Sequence, residues 1–254
     1  MNIKIDDFFK PLKLASQPTS KDYKEAELYC NAADAFARTA HQCIYIIDYY
    51  KKGFLYVSEN PLFLCGQSAK SVLNSGYDFY ATHVPADELN MLLEINEAGF
   101  KFYNKIPVYE KLKYSISFDF HLIHPNKQLV LINHKLTPLV LDKQHNIWLA
   151  LCVVTHSTSK TAGNIIIFKQ GTSKRFEYDP ATKEWAEQKK IKLSAPEKEI
   201  LTLSIQGYTM DEIAVKLKIV TATVKFHKKN IFRKLRVKNI TQAISFAKSY
   251  NIFE

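Results

Sequence analysis

Residues 221–235 read TATVKFHKKNIFRKL. Five cations, Lys225, Lys228, Lys229, Arg233 and Lys234, stand in this stretch with no acid among them. Side chains of this type neutralise anionic oxygen and donate hydrogen bonds to base edges. Val224, Ile231 and Leu235 recur at the spacing of one buried helical row. A solvated helix face usually mixes signs, because Glu–Lys pairs three or four residues apart support the helix. Here the positive charges repel one another. An anionic partner would compensate them; a plain wet basic face is the other reading.

The elements around the stretch favour the partner. Residues 193–249 parse as four short helices. The first opens at LSAPEKEIL, where Ser194 and Glu197 form a capping box and Pro196 sits in the first turn. Ile200, Leu201 and Ile205 give its inward stripe, and Gly207 stops it. The second opens at a further capping box, Thr209 to Glu212. Met210, Ile213, Ala214 and Leu217 follow the i, i+3, i+4, i+7 template. Lys218, Ile219 and Val220 make the turn into the basic helix. The fourth opens at Asn239 with Gln242, and Ile240, Ala243, Ile244 and Ala247 repeat the template. Two helices joined by a turn of about three residues, the second one basic, is the helix-turn-helix plan, whose second helix enters the major groove.

The distribution of charge agrees. Residues 183–254 carry 15 Lys and Arg against 7 Asp and Glu, a net of +8; residues 1–182 carry 20 against 18. A near-neutral body with a basic tail is the electrostatic footprint of a polyanion binder. The 254 residues suffice for two small domains. The start, MNIKIDDFFK, lacks a secretory pattern, and no apolar run reaches the ~20 residues of a spanning helix. Cys30, Cys43, Cys65 and Cys152 form no CxxC pair and read as reduced thiols of a cytoplasmic protein rather than metal ligands.

The run from Leu193 to Ala243 resembles the DNA-binding domain of LuxR-type transcription regulators. Leu193, Ser194, Glu197, Ile200, Leu201, Gly207, Thr209, Glu212, Ile213, Ala214, Leu217, Thr223, Val224, Lys225, His227, Ile231, Lys234, Leu235, Val237 and Ala243 carry the likeness without a gap. Val220 stands where the family usually has a serine cap, so Thr221 is expected to cap instead; Pro196 and Ile240 replace usual arginines. The resemblance implies that Lys225, Phe226 and Lys229 look toward bases. Thr223, His227, Lys228, Arg233 and Lys234 are then expected to meet phosphates or hold the helix. His227 reads equally as a structural histidine.

The N-terminal part is an amphipathic helix at 20–41, with Tyr29, Ala33, Phe36, Ala37 and Ala40 along one side. Two short strands (CIYIIDYY, GFLYVSEN), two helical patches and three long strands follow. A five-stranded antiparallel sheet with helices on one side satisfies this order. The order, with FLYVSENPLFLCG and GYDFYATHVPADEL, resembles the PAS sensory fold. The expected architecture is therefore α+β: a helical segment at 1–41, a PAS-like domain at 42–160, a hairpin and linker at 161–191 and a LuxR-type four-helix domain at 192–254. PAS domains hold small molecules between sheet and helices, which makes such a ligand a candidate partner. No cofactor is implied, since the flavin-adduct motif NCRFLQ is missing around Cys65 and His83 stands alone as a haem ligand. Trp148, Cys152 and Phe63 could line a cavity but read better as core.

These features point to a cytoplasmic regulator that binds double-stranded DNA as a homodimer. An adaptor whose helix-turn-helix binds protein is the alternative, disfavoured because protein interfaces deplete lysine. Nothing resembles a phosphate loop, a GxSxG elbow or metal spacing, so an enzyme is not expected. A phosphoacceptor domain would need βαβ alternation, and an autoinducer pocket would need more tryptophan than Trp148 and Trp185.

Overall fold

The computed structural model describes residues 5–12, 16–172, 174–188 and 191–249. The chain divides into two units, Met1–Gly171 with Arg175–Glu187, and Gln188–Glu254 with Thr172–Lys174. Residues 189 and 190 of the expected linker, and 250–254 of the expected tail domain, lie outside the described residues.

In the first unit α1 (Ser20–Ala40) precedes β1 (Cys43–Asp48) and β2 (Gly53–Val57). Then come α2 (Pro61–Leu64), α3 (Ala69–Ser75), α4 (Asp78–His83) and α5 (Ala86–Tyr103). β3 (Tyr114–Ile123), β4 (Leu129–Leu141) and β5 (Ile147–His156) form the meander, followed by β6 (Gly163–Lys169), β7 (Arg175–Asp179) and β8 (Glu184–Gln188). The strand order is β2-β1-β5-β4-β3-β6-β7-β8. The five expected strands form the antiparallel run β2-β1-β5-β4-β3. That run, with its helices between the second and third strands, is the PAS-like architecture.

The sheet is longer than the five strands expected. β6 pairs antiparallel with β3, β7 pairs with β6, and β8 follows as an edge. The polar stretch 179–192 therefore carries a strand where a linker was expected. The physical reason is Trp185, which packs on Phe102 and Tyr178 and donates from Nε1 to the carbonyl of Ala98 on α5.

Strand alternation sends side chains to two cores. Tyr45, Ile47, Phe118, Phe120, Ile132, Ala150 and Cys152 share one with α2–α5, where Phe63 stacks on Tyr45. Ile44, Ile46, Trp148 and Leu149 face the other way and meet Ala26, Ala33 and Ala37 of α1. Covered on both faces, β1 is buried along its whole length. Trp148 thus packs beneath α1, edge-on to Tyr23, on the face opposite α2–α5. A Thr19–Asp22 capping box starts α1, and two hydroxyl bonds fix it to the sheet, Tyr23 to Asp48 and Tyr56 to Asp34. The stripe expected on one side of this helix is split: Ala33 and Ala37 are buried, while Tyr29 and Phe36 are exposed.

The second unit contains α6 (Ala195–Ile205), α7 (Met210–Leu217), α8 (Thr221–Leu235) and α9 (Ile240–Ser249). Its core is Ile200, Leu201, Ile213, Ala214, Val224, Ile231, Leu235, Ala243 and Ala247. Both expected capping boxes form, Ser194 with Glu197 and Thr209 with Glu212. Gly207 adopts a φ of 89°, the left-handed turn that lets the chain leave α6.

Candidate nucleic-acid interface

α8 is held by its buried row. Val224, Ile231 and Leu235 lie in the core against α6 and α7, which fixes the rotation of the helix and so decides what faces outward. Ala222, Lys225, Phe226, Lys229 and Arg233 are exposed, and their spacing puts them on one face. Phe226 is 61% exposed between the two lysines, with its ring 5.6 Å from that of His227. Lys225 and Lys229 form no ion pair among the described residues, and Arg233 donates only to Asn230, at 3.1 Å. Four of the eight expected residues are therefore gathered on one open surface: Lys225, Phe226, Lys229 and Arg233.

The other four sit differently. Thr223, His227 and Lys228 are half-buried, and burial pushes the Lys228 ammonium below its ordinary value. Lys234 is turned inward. Its Nζ donates to Glu197 Oε2 at 2.6 Å, and that carboxylate also accepts from the Ser194 N–H at 2.7 Å. Burial pushes the Glu197 carboxyl up, but the Lys234 hydrogen bond and the Ser194 N–H outweigh it and hold the group below the usual carboxylate range. Lys234 thus closes the capping box of α6 from below. Sequence reading missed this, because the two residues are 37 positions apart.

The start of α8 also differs from expectation. Val220 occupies the N-cap without a side-chain bond, and Thr221 is already helical. Thr221 does not cap: its Oγ1 donates to Asp211 Oδ1 of α7 at 2.7 Å, tying the two helices of the motif together. The first turn of α8 thus starts without a side-chain cap, the kind of helix N-terminus that favours an anion.

The family model for "Bacterial regulatory proteins, luxR family" matches residues 192–247. The chain carries a LuxR-family regulatory domain. Within it the match spans all four helices, from the strand of residues before α6 into α9. YhjB of Escherichia coli (strain K12), described as an HTH-type transcriptional regulator, is 49% identical over 51 residues, 20% of this chain and 26% of YhjB. The solved transcription factor GerE is 33% identical, covering 24% of this chain and 90% of GerE, with a TM-score of 0.23. The Vibrio cholerae VqmA dimer is 17% identical over 86% of each chain, with a TM-score of 0.34. A likeness at that level bears on neither ligand nor assembly. The chain spans about a quarter of the length of the curated relative it matches. Among the described residues no His, Cys, Asp and Glu cluster could hold a metal, and no helix is long and apolar enough to cross a membrane.

Proposed function

We propose that this protein is a transcription regulator that lays α8 of its LuxR-type domain in the major groove of duplex DNA, under the influence of the PAS-like domain at 42–160. The observation that carries the reading is the open face of Lys225, Phe226, Lys229 and Arg233, without an acid, on the second helix of a helix-turn-helix. In this reading Lys225, Phe226 and Lys229 read bases. Thr223, His227, Lys228 and Arg233 meet the backbone at the rim, and Lys234 serves the domain's own stability. Residues 192–254 are the DNA-binding part, and the cytoplasm is where its DNA lies. The salt dependence of duplex binding tests it. Each phosphate neutralised steepens the log–log slope by about 0.9, so three or four contacts give roughly −2.7 to −3.6 per copy. Fluorescence anisotropy with the full chain between low and moderate salt should show that fall; an affinity that stays level would end the reading.

The regulator acts as a homodimer in this proposal. One short helix in one groove reads few base pairs, and a two-fold dimer reads two half-sites. Since Ala26, Ala33 and Ala37 of α1 already pack on the sheet, the surface offered to a second copy is the outer one, where Leu28, Tyr29 and Phe36 are exposed. Ala32, Ala35 and Thr39 continue it at helical spacing. Leu28→Glu with Phe36→Glu should give a monomer in light scattering at micromolar concentration with an unchanged melting temperature. A dimer that survived both charges would assign the contact elsewhere.

A further inference from the structure

The chain leaves the sheet domain through the β7–β8 hairpin, and the hairpin lies along one stripe of α5. Glu94, Ala98 and Phe102 fall four residues apart on that helix and so share a face. Tyr178 of β7 donates from Oη to Glu94 Oε1 at 2.9 Å. Trp185 of β8 donates from Nε1 to the Ala98 carbonyl at 3.3 Å. The rings of Phe176 and Trp185 pack on Phe102, with centroids 4.9 and 5.5 Å away. Leu92, Ile95 and Tyr103 of α5 point into the core of the sheet domain. The helix thus carries the core on one side and the hairpin on another.

The two strands of the hairpin are held unequally. β7 keeps its place without α5: it pairs with β6 from Ile166–Glu177 to Phe168–Arg175, and Arg175 and Tyr178 are buried. β8 is the edge of the sheet. Glu184, Ala186 and Glu187 are exposed, and the half-buried Trp185 makes its contact with α5. A strand with so little buried apolar surface opens before the elements beneath it. The turn is closed by the Lys183 N–H on the Asp179 carbonyl at 2.8 Å, so Asp179 is where β8 would part from β7.

Chain length gives this edge a consequence. β8 ends at Gln188, and Ser194, the N-cap of α6, lies six positions on. With β8 docked, that tether to the LuxR-type domain spans at most about 20 Å. With β8 released, the tether starts at Asp179 and has 15 residues. It then spans at most about 50 Å. The gain of about 30 Å approaches one turn of duplex, roughly 34–36 Å, the unit by which half-sites are spaced. Effective concentration falls about as the −3/2 power of tether length, so the longer tether lowers it about four-fold.

We propose that β8 is a clasp. Docked on α5 through Trp185, it keeps the tether short and confines a pair of LuxR-type domains to a narrow range of half-site spacings; its release widens that range. Trp185 is thus a positioning residue: it touches no DNA and acts through the length of chain left free. The clasp rests on the homodimeric regulator proposed above for its purpose, but its docking is read without DNA.

The test uses the full chain, Trp185→Ala, Trp185→Phe, and a variant with nine Gly and Ser residues inserted after Gln188. The insertion gives the released tether length with β8 undisturbed. Hydrogen exchange of the 184–188 amides, without DNA, reads the clasp. These amides should exchange at least ten-fold faster in Trp185→Ala than in the native chain, while those of β3–β5 stay unchanged. Trp185→Phe should fall between, since it keeps a ring and loses the donor. Selection from a pool of random duplexes of about 50 bp reads the spacing. The native chain should enrich paired half-sites at one centre-to-centre distance. Trp185→Ala and the insertion should each enrich distances spread over about one further helical turn. Both should bind the duplex selected by the native chain about four-fold more weakly. The proposal is overturned if the 184–188 amides exchange alike in the native chain and in Trp185→Ala. It is overturned equally if Trp185→Ala keeps the single spacing while those amides exchange fast, or if the insertion keeps the native spacing and affinity. A native pool with no enriched sequence sinks the regulator reading, and a pool of single half-sites sinks the homodimer. Either takes the spacing role down with it, whereas the exchange result decides the docking of β8 by itself.

Discussion

Replacing Lys225 and Lys229 together with alanine should cut affinity for the cognate duplex by at least 30-fold, and affinity for a scrambled duplex only several-fold. Both side chains stand on the open face of α8, one turn apart, with no acid to hold them back. A good base contact discriminates by about 1–3 kcal/mol, so two of them exceed what two lost phosphate contacts could cost. Their closeness makes the combined effect differ from the sum, which the single variants measure. Alanine is the strongest helix former and both positions are exposed, so the melting temperature should hold. Arg233→Ala and Lys228→Ala should instead weaken both duplexes by similar factors and flatten the salt slope by about 0.9 each. Equal losses on cognate and scrambled DNA for the double variant would remove Lys225 and Lys229 from base reading.

The LuxR-type domain was legible in sequence because its signals are local. Capping boxes span four residues, and the buried row of α8 repeats within three turns, so Ser194, Thr209, Val224, Ile231 and Leu235 all stand where spacing puts them. What escaped depends on distant partners. A lysine at position 234 looks like its neighbours until α6 brings Glu197 beneath it. Thr221 looked like a cap because only the fold shows Asp211 within reach. In the sheet domain, period-two alternation revealed β3, β4 and β5. It could also have placed His134 inward, two residues from Ile132 and Leu136, but no rule of spacing says that its Nδ1 finds no partner. β8 was hidden by its polarity: one half-buried tryptophan among exposed residues is a faint strand signal, and Ala98, to which it binds, lies 87 positions away.

Lys234→Met should destabilise the LuxR-type domain by about 1–3 kcal/mol, below the 3–5 typical of a fully buried pair because the lysine is a third exposed. Its partner is only 3% exposed, and without the ammonium that carboxylate keeps the burial and loses its strongest support. The sign with pH follows. In the native domain the carboxyl is held below its ordinary value, so its contribution is fully present above the ordinary glutamate range and is lost as pH falls through the lowered folded value. In Lys234→Met burial dominates, the folded value rises, and the protonated form is favoured. Acidification should then stabilise the variant relative to neutral pH over the range where the native protein begins to lose stability. Adding Glu197→Gln to Lys234→Met should recover part of the loss, since an amide keeps the capping geometry without a charge to bury. Denaturant melts of the domain transition at pH 4 and pH 7 for the two single variants and the double variant read all of this. If Lys234→Met melted with the native protein while losing affinity on every duplex, its ammonium would belong to the phosphates after all and not to Glu197.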